Sequence, residues 1–178
     1  MKIGDIAPWV AAAVLLFWAV GAYNRLVRLR SEILRHFSSL DAQYRLRHGL
    51  LGRLADAFEA RADLAPDTTE AVAGLRAAAG QADSALSHAR VRPGGIGAVA
   101  SLRLAEDVLA QARARVAPPA AGDEGLAALA GELSAADATI SFARRQFNDA
   151  VSEYNRAVQQ FPTWLMAALF RFRTAGLL

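Results

Sequence analysis

Hydrophobic residues recur every three or four positions through the first third of the chain. Beyond residue 25 this heptad spacing lasts for about five heptads, which is typical of a helix that packs along one face. The positions are Leu26, Leu29, Ile33, Phe37, Leu40, Tyr44, Arg47, Leu51, Leu54 and Phe58. Only Arg47 breaks the hydrophobic stripe. The pattern predicts one long helix that ends before Pro66, because a residue that precedes a proline disfavours the α conformation.

The same periodicity predicts three more helices. The second begins at Asp67, with Glu70 at capping-box spacing, and ends at the R-P-G-G sequence of 92–95. The third ends at the prolines of 118–119. The fourth is long, and its inner positions are Leu126, Leu129, Leu133, Ala136, Ile140, Ala143, Phe147, Ala150, Tyr154, Val158 and Phe161. Strand patterns are sparse, so the sequence predicts an all-α fold, a long antiparallel bundle of about four helices.

An apolar run precedes the bundle. Residues 6–24 carry no charge, and these 19 residues are close to the roughly 20 that cross a bilayer as a helix. A cleaved signal peptide is the alternative, but its positive region would be weak, because Asp5 offsets Lys2. We therefore predict a transmembrane helix continuous with the first bundle helix. The predicted parts are an anchor (1–24), a helical bundle (25–162) and an amphipathic C-terminal segment (163–178).

Charge predicts the orientation of the anchor. Arg25, Arg28, Arg30 and Arg35 follow the apolar run directly, whereas only Lys2 and the amino terminus precede it. By the positive-inside rule we expect a single-pass protein of a bacterial inner membrane, with its N-terminus outside and its bundle in the cytoplasm.

The C-terminal segment is predicted to return to the membrane. Short connections favour antiparallel neighbours, so four helices bring the chain back to its anchor. The sequence T-W-L-M-A-A-L-F-R-F-R of 163–173 mixes large apolar groups with arginine, as interfacial segments do. The alternative is that these apolar groups simply cap the end of the bundle. Candidate membrane-interface residues are Arg25, Arg28, Arg30, Trp164, Phe170, Arg171, Phe172 and Arg173.

Polar residues on the long helices form a second candidate site. Its members are Asp41, Gln43, Arg47, Asn148 and Asn155. We expect Asp41, Arg47 and Asn148 to form a buried network that fixes the register of the two long helices, a role that buried polar residues can have. A small polar ligand pocket is the alternative interpretation.

The sequence offers little for catalysis. It has no cysteine, and its three histidines are not paired with carboxylates at metal-ligand spacing. Phosphate-loop, zinc-protease and serine-hydrolase motifs are lacking. We therefore expect no enzyme, no cofactor or metal, and no small-molecule substrate. The arginines of the first helix lie beside the bilayer, so we expect membrane lipids as partners and no nucleic acid.

Three segments resemble the LemA family. Residues 23–30, Y-N-R-L-V-R-L-R, resemble the start of the family after its transmembrane run. Residues 40–48 are similar to its I-D-V-Q-L-K-R-R-H segment. Residues 143–162 are similar to its A-R-R-x-Y-N-x-A-V-x-x-Y-N-x-x-I-x-x-F-P pattern. The middle, residues 64–135, departs from the family, which identifies the chain as a divergent member.

The resemblance implies a membrane-anchored helical bundle, and the MamQ branch of the family implies a part in shaping an organelle membrane. We expect a scaffold that self-associates or binds another membrane protein. The alternative is an accessory or regulatory subunit of a membrane protease or signalling complex.

Overall fold

A computed structural model describes residues 3–61, 65–116 and 123–178. It is 87% helical, and no strand occurs in these residues, so the predicted all-α fold is confirmed. The helices are α1 (Ile3–Glu59), α2 (Pro66–Val91), α3 (Ile96–Arg115), α4 (Glu124–Gln159) and the short α5 (Thr163–Leu169). The predicted break at 118–119 lies outside the described residues.

Helix α1 is continuous from the apolar run into the bundle, as predicted. Its first half projects beyond the other helices, so Trp9 is 77% exposed and Phe17 is 76% exposed. From Leu26 onward, every hydrophobic residue of the predicted stripe is buried. By length and composition, both α1 and α4 could cross a membrane, but the apolar window is 11% buried in α1 and 33% buried in α4. The exposed half of α1 is therefore the better candidate span.

Four helices form the bundle, and three of the four pairs of neighbouring helices pack on each other. Helix α1 packs against both α4 and α2, and α2 packs against α3. No Cα atom of α3 comes within 8 Å of a Cα atom of α4, although both helices are described throughout. We call the resulting gap between them the α3–α4 cleft.

The hydrophobic core has two parts. The part nearer the apolar run includes Phe37, Leu102 and Phe147, and the farther part includes Leu51 and Leu133. Charged side chains in the middle of the bundle separate the two parts.

Two details of the predicted helices are wrong. Helix α2 begins at Pro66 with Ala65 as its N-cap residue, and no side chain caps it. Proline suits the first helical position because its missing N–H needs no partner there. Since the helix begins at Pro66, Asp67 lies inside the first turn and cannot be the N-cap residue. Phe161 is 77% exposed rather than buried, because α4 ends at Gln159.

The chain returns to the end of the apolar run, as predicted. The ring centroid of Tyr23 lies 4.8 Å from that of Phe170 and 5.9 Å from that of Phe172. Helix α5 packs against both α1 and α4 at this end of the bundle.

Candidate functional site

A buried charged layer crosses the middle of the bundle. Arg47 of α1 donates hydrogen bonds to Glu106 of α3 and, over 3.5 Å, to Asp137 of α4. Nε2 of His48 lies 3.0 Å from Oε1 of Glu106. The side chains of Arg47 and Glu106 are 13% and 9% exposed, so this layer links three helices within the core.

Burial shifts the pKa values of several side chains in and beside this layer. Burial, together with the neighbouring guanidinium of Arg47, lowers the pKa of His48 to about 4, although the carboxylates of Glu106 and Asp83 also face the ring. Burial likewise lowers the pKa of Arg47 and raises that of Tyr44. His48 is therefore neutral at pH 7, and the charge of Glu106 is balanced by Arg47.

The charged layer lies at the base of an open groove in the α3–α4 cleft. This groove has a volume of about 500 Å³. Tyr44 and Arg47 line it from α1, Arg113 from α3, and Asp137 and Arg144 from α4. Arg47 and Arg113 both bond Asp137, so ion pairs rather than packed hydrophobic groups connect the walls here.

The structure does not bring Asp41, Arg47 and Asn148 together, so the network predicted from the sequence is wrong in its partners. Asp41 accepts hydrogen bonds from Arg45 and, at 3.0 Å, from Nη2 of Arg90 on α2. Arg47 lies six positions after Asp41 on the helix, which turns their side chains about 120° apart around its axis. The two side chains therefore face different neighbours.

The remaining members of the predicted network also lie apart. Gln43 is half-buried. Its side chain takes no part in the hydrogen bonds that Asp41 and Arg47 make in the described residues. Asn148 and Asn155 share one face of α4, as their spacing predicts, but that face holds the end of the chain. We call residues 173–178, which have no regular secondary structure, the C-terminal strap.

Two asparagines bind the backbone of the C-terminal strap in the same way. Asn155 donates from Nδ2 to the carbonyl of Ala175 (2.9 Å) and accepts at Oδ1 from the N–H of the same residue (2.8 Å). Asn148 binds Leu178 identically, at 2.8 and 2.9 Å. Tyr154 donates its hydroxyl to the carbonyl of Arg173.

The spacing of these contacts fits an extended strap. Seven helical residues separate the asparagines, about 10.5 Å along α4. Three extended residues separate Ala175 from Leu178, about 10 Å. A helical heptad thus matches three residues of extended chain that runs opposite to α4.

The strap lies between α4 and the turn that connects α2 to α3. The N–H of Gly176 donates to the carbonyl of Gly94 over 3.1 Å. A Cβ at Gly176 would lie 2.9 Å from Cα of Ile96, so the position has room only for glycine. Leu178 is buried in the core. Sequence reasoning missed this site, although the paired asparagines and the late glycine were signals for it.

The candidate membrane-interface residues gather at the end of the apolar run. Helix α5 buries Thr163, Met166 and Ala167 and turns its other face outward. On that outer face Trp164 is 47% exposed and Leu169 is 68% exposed. The predicted interface residues that are exposed are Arg25, Arg28, Arg30, Trp164, Phe170, Arg171 and Arg173. Phe172 is half-buried and packs against the core.

The model of the LemA family matches residues 36–178, which is most of the chain. The match includes the segments 40–48 and 143–162 and therefore the charged layer and both asparagines. Residues 23–30 precede it. No curated protein and no solved structure matches the chain. The LemA family is not a known enzyme family, and no group of three potential metal-ligating side chains occurs in the part of the chain that the structure describes.

Proposed function

The chain belongs to the LemA family, and from this premise and the geometry above we propose that it is a membrane-anchored, non-catalytic scaffold. In this proposal the first half of α1 spans a bacterial inner membrane, and the bundle stands on the cytoplasmic surface. The outer face of α5 rests in the headgroup region. The scaffold holds the bundle and its charged groove at a fixed height above the lipid.

One observation carries this proposal: α5 lies beside the point where α1 leaves the bundle. Phe170 and Phe172 pack on Tyr23, the last aromatic residue of the apolar run. Apolar side chains on the outer face of α5 are therefore placed level with the end of the candidate span. Arg25, Arg28 and Arg30 are exposed at the same level, where anionic headgroups would bind them.

Tryptophan fluorescence tests the placement of α5. The chain has three tryptophans, so Trp9→Phe/Trp18→Phe leaves Trp164 as the single emitter. In reconstituted full-length protein, we expect lipids brominated near the headgroup to quench Trp164 strongly. Quenching requires near contact between bromine and the indole ring, which a position in the interface provides.

A matched variant controls for bromine contacts elsewhere on the bundle. Trp164→Phe in the same background, combined with Leu104→Trp, puts the only indole on α3, at a position where the native leucine is 66% exposed. We expect this emitter to escape quenching. Equal quenching of the two emitters, or none of Trp164, would rule out the proposed contact of α5 with lipid.

A further inference from the structure

The groove in the α3–α4 cleft holds the hydroxyl of a buried tyrosine. Tyr44 is 2% exposed, and it lines the groove from α1. The described hydrogen bonds include one from the hydroxyl of Tyr154 but none from that of Tyr44. The enclosed side-chain atoms that lack a partner in the described residues are Nε of Arg47 and Nδ1 of His48. The hydroxyl of Tyr44 is therefore not enclosed but faces the groove, where a ligand can supply the partner that buried polar groups require.

Most of the charges that line the groove are balanced within the protein. The guanidinium of Arg47 binds the carboxylates of Glu106 and Asp137, and Arg113 binds Asp137 as well. These four side chains form one network of two positive and two negative charges. The network adds no net charge to the groove, so by itself it favours neither an anion nor a cation.

One positive and one negative charge on opposite walls remain outside this network. Arg144 is half-buried on α4 and Asp107 is exposed on α3, and neither forms an ion pair within the described part of the chain. Both lie near the hydroxyl of Tyr44. Burial raises the pKa of Tyr44, the positive charges of Arg47 and Arg144 lower it, and the negative charge of Asp107 raises it further. The hydroxyl therefore stays protonated at pH 7 and can donate a hydrogen bond.

We propose that this groove binds a small zwitterion, a molecule with a carboxylate at one end and a protonated amine at the other. The carboxylate accepts hydrogen bonds from the hydroxyl of Tyr44 and the guanidinium of Arg144. The amine donates to the carboxylate of Asp107. Charge-assisted bonds on both walls make the ligand a bridge between α3 and α4, which do not pack on each other. The volume of about 500 Å³ lies within the range of about 300–1,000 Å³ that is typical of small-molecule sites.

A ligand with a single charge fits this groove less well. An anion beside Arg144 would be repelled by Asp107, and a cation beside Asp107 would be repelled by Arg144. Because the other charges are balanced, only a ligand with both signs of charge satisfies both walls. Such complementarity provides specificity more than raw affinity.

Membrane lipid is not the source of this ligand. Tyr44 lies about 32 Å along α1 from Tyr23, at about 1.5 Å per residue. A headgroup at the level of Tyr23 therefore cannot reach the hydroxyl of Tyr44. Only this exclusion rests on the proposed anchor, because the groove and its charges lie wholly within the bundle.

Fluorine NMR tests the binding, because the chain has three tyrosines and Tyr44 is the one that lines the groove. Full-length protein in detergent would carry meta-fluorotyrosine, and Tyr44→Phe would assign the resonance. The probes are glycine, γ-aminobutyrate and ε-aminocaproate, which differ in the separation of their charges. We expect at least one of them to shift the Tyr44 resonance saturably, while those of Tyr23 and Tyr154 stay in place. The absence of a saturable shift with all three would overturn the proposal.

Matched probes with one charge test the need for both ends. For γ-aminobutyrate these are valerate and butylammonium, in which a methyl group replaces the amine or the carboxylate. We expect each to bind about tenfold more weakly than the zwitterion, because one charge-assisted hydrogen bond is lost. A single-charge probe that binds as tightly as its zwitterion would make the groove a simple ion site and contradict the proposal.

Variants of the two walls locate the site. Arg144→Gln and Asp107→Asn should each weaken the tightest zwitterion about tenfold. Arg145→Gln and Asp149→Asn, at exposed positions of α4, make the same changes of charge and should leave its affinity unchanged. Tighter binding in Asp107→Asn would reveal an anion site, and an equal loss in Arg145→Gln would reveal a general effect of charge. Either result would overturn the proposal, and neither depends on whether α1 spans a membrane.

Discussion

His48 is the residue whose ionisation most directly couples the charged layer to stability. Its pKa is about 4 in the folded protein, against about 6.5 for an unperturbed histidine. The unfolded chain therefore binds more protons than the folded one between these values. The contribution of neutral His48 to the free energy of unfolding is therefore fully present above pH 6.5. It decreases as the pH falls towards 4, by up to about 3 kcal/mol.

We predict that His48→Gln flattens this pH dependence. Urea unfolding of the full-length protein in detergent, followed by circular dichroism between pH 7 and pH 4, measures it. His88→Gln on the exposed surface of α2 is the matched control and should keep the wild-type slope. A slope that is unchanged in His48→Gln would show that other groups, such as Glu106, determine the acid sensitivity.

At the scale of the elements, a heptad repeat predicts a helix face but not the partners of its polar residues. The repeat located the buried hydrophobic stripe of α1 from Leu26 to Phe58, because burial on one face leaves a direct pattern in the sequence. The bonds from Arg47 to Glu106 and Asp137 depend on the rotation and height of three helices. The heptad repeat of α1 does not encode the rotation or the height of the other two helices.

The strap left no periodic pattern at all. It is neither helix nor strand, so neither the 3.6-residue nor the two-residue repeat marks it. The spacing of Asn148 and Asn155 predicts that they share a face of α4, but the network expected for Asn148 with Asp41 and Arg47 is wrong. The partners of both asparagines are backbone atoms, which a sequence does not distinguish from one position to another.

Gly176 gives the strap a prediction of its own. Gly176→Ala should lower the free energy of unfolding by about 1–3 kcal/mol, because the new methyl group would overlap Ile96. Gly97→Ala on α3 is the matched control, since a Cβ there meets nothing within 4 Å. It should be neutral or raise stability by up to about 1 kcal/mol, because alanine favours helix over glycine. Thermal unfolding of the two variants compares them; equal effects would mean that the strap does not pack as described.

At the scale of the whole molecule, the two ends of the bundle have different surroundings. The end that holds Tyr23, α5 and the exposed arginines faces the proposed bilayer, whereas α1 ends at Glu59 at the far end. The strap runs from the first end towards the charged layer. Any partner of the groove must therefore approach from the side of the bundle, between α3 and α4.

The orientation of the anchor decides from which compartment that partner comes. Arg25, Arg28 and Arg30 follow the candidate span directly, and positive charges this close to a span direct its orientation during insertion. We predict that Ser87→Cys, at an exposed position of α2, resists a membrane-impermeant maleimide in intact spheroplasts and reacts in inverted vesicles. The triple variant Arg25→Gln, Arg28→Gln and Arg30→Gln should raise the labelled fraction in spheroplasts. It removes the positive charges that keep the bundle on the cytoplasmic side.

Charge removal far from the span provides the control for this last experiment. Positive charges direct topology only within about 15–20 residues of a span, so Arg76→Gln with Arg103→Gln should leave the labelling pattern unchanged. If Ser87→Cys is labelled in intact spheroplasts without any change of the arginines, the bundle lies outside the cytoplasm. The partners of the groove would then have to be sought in the cell envelope.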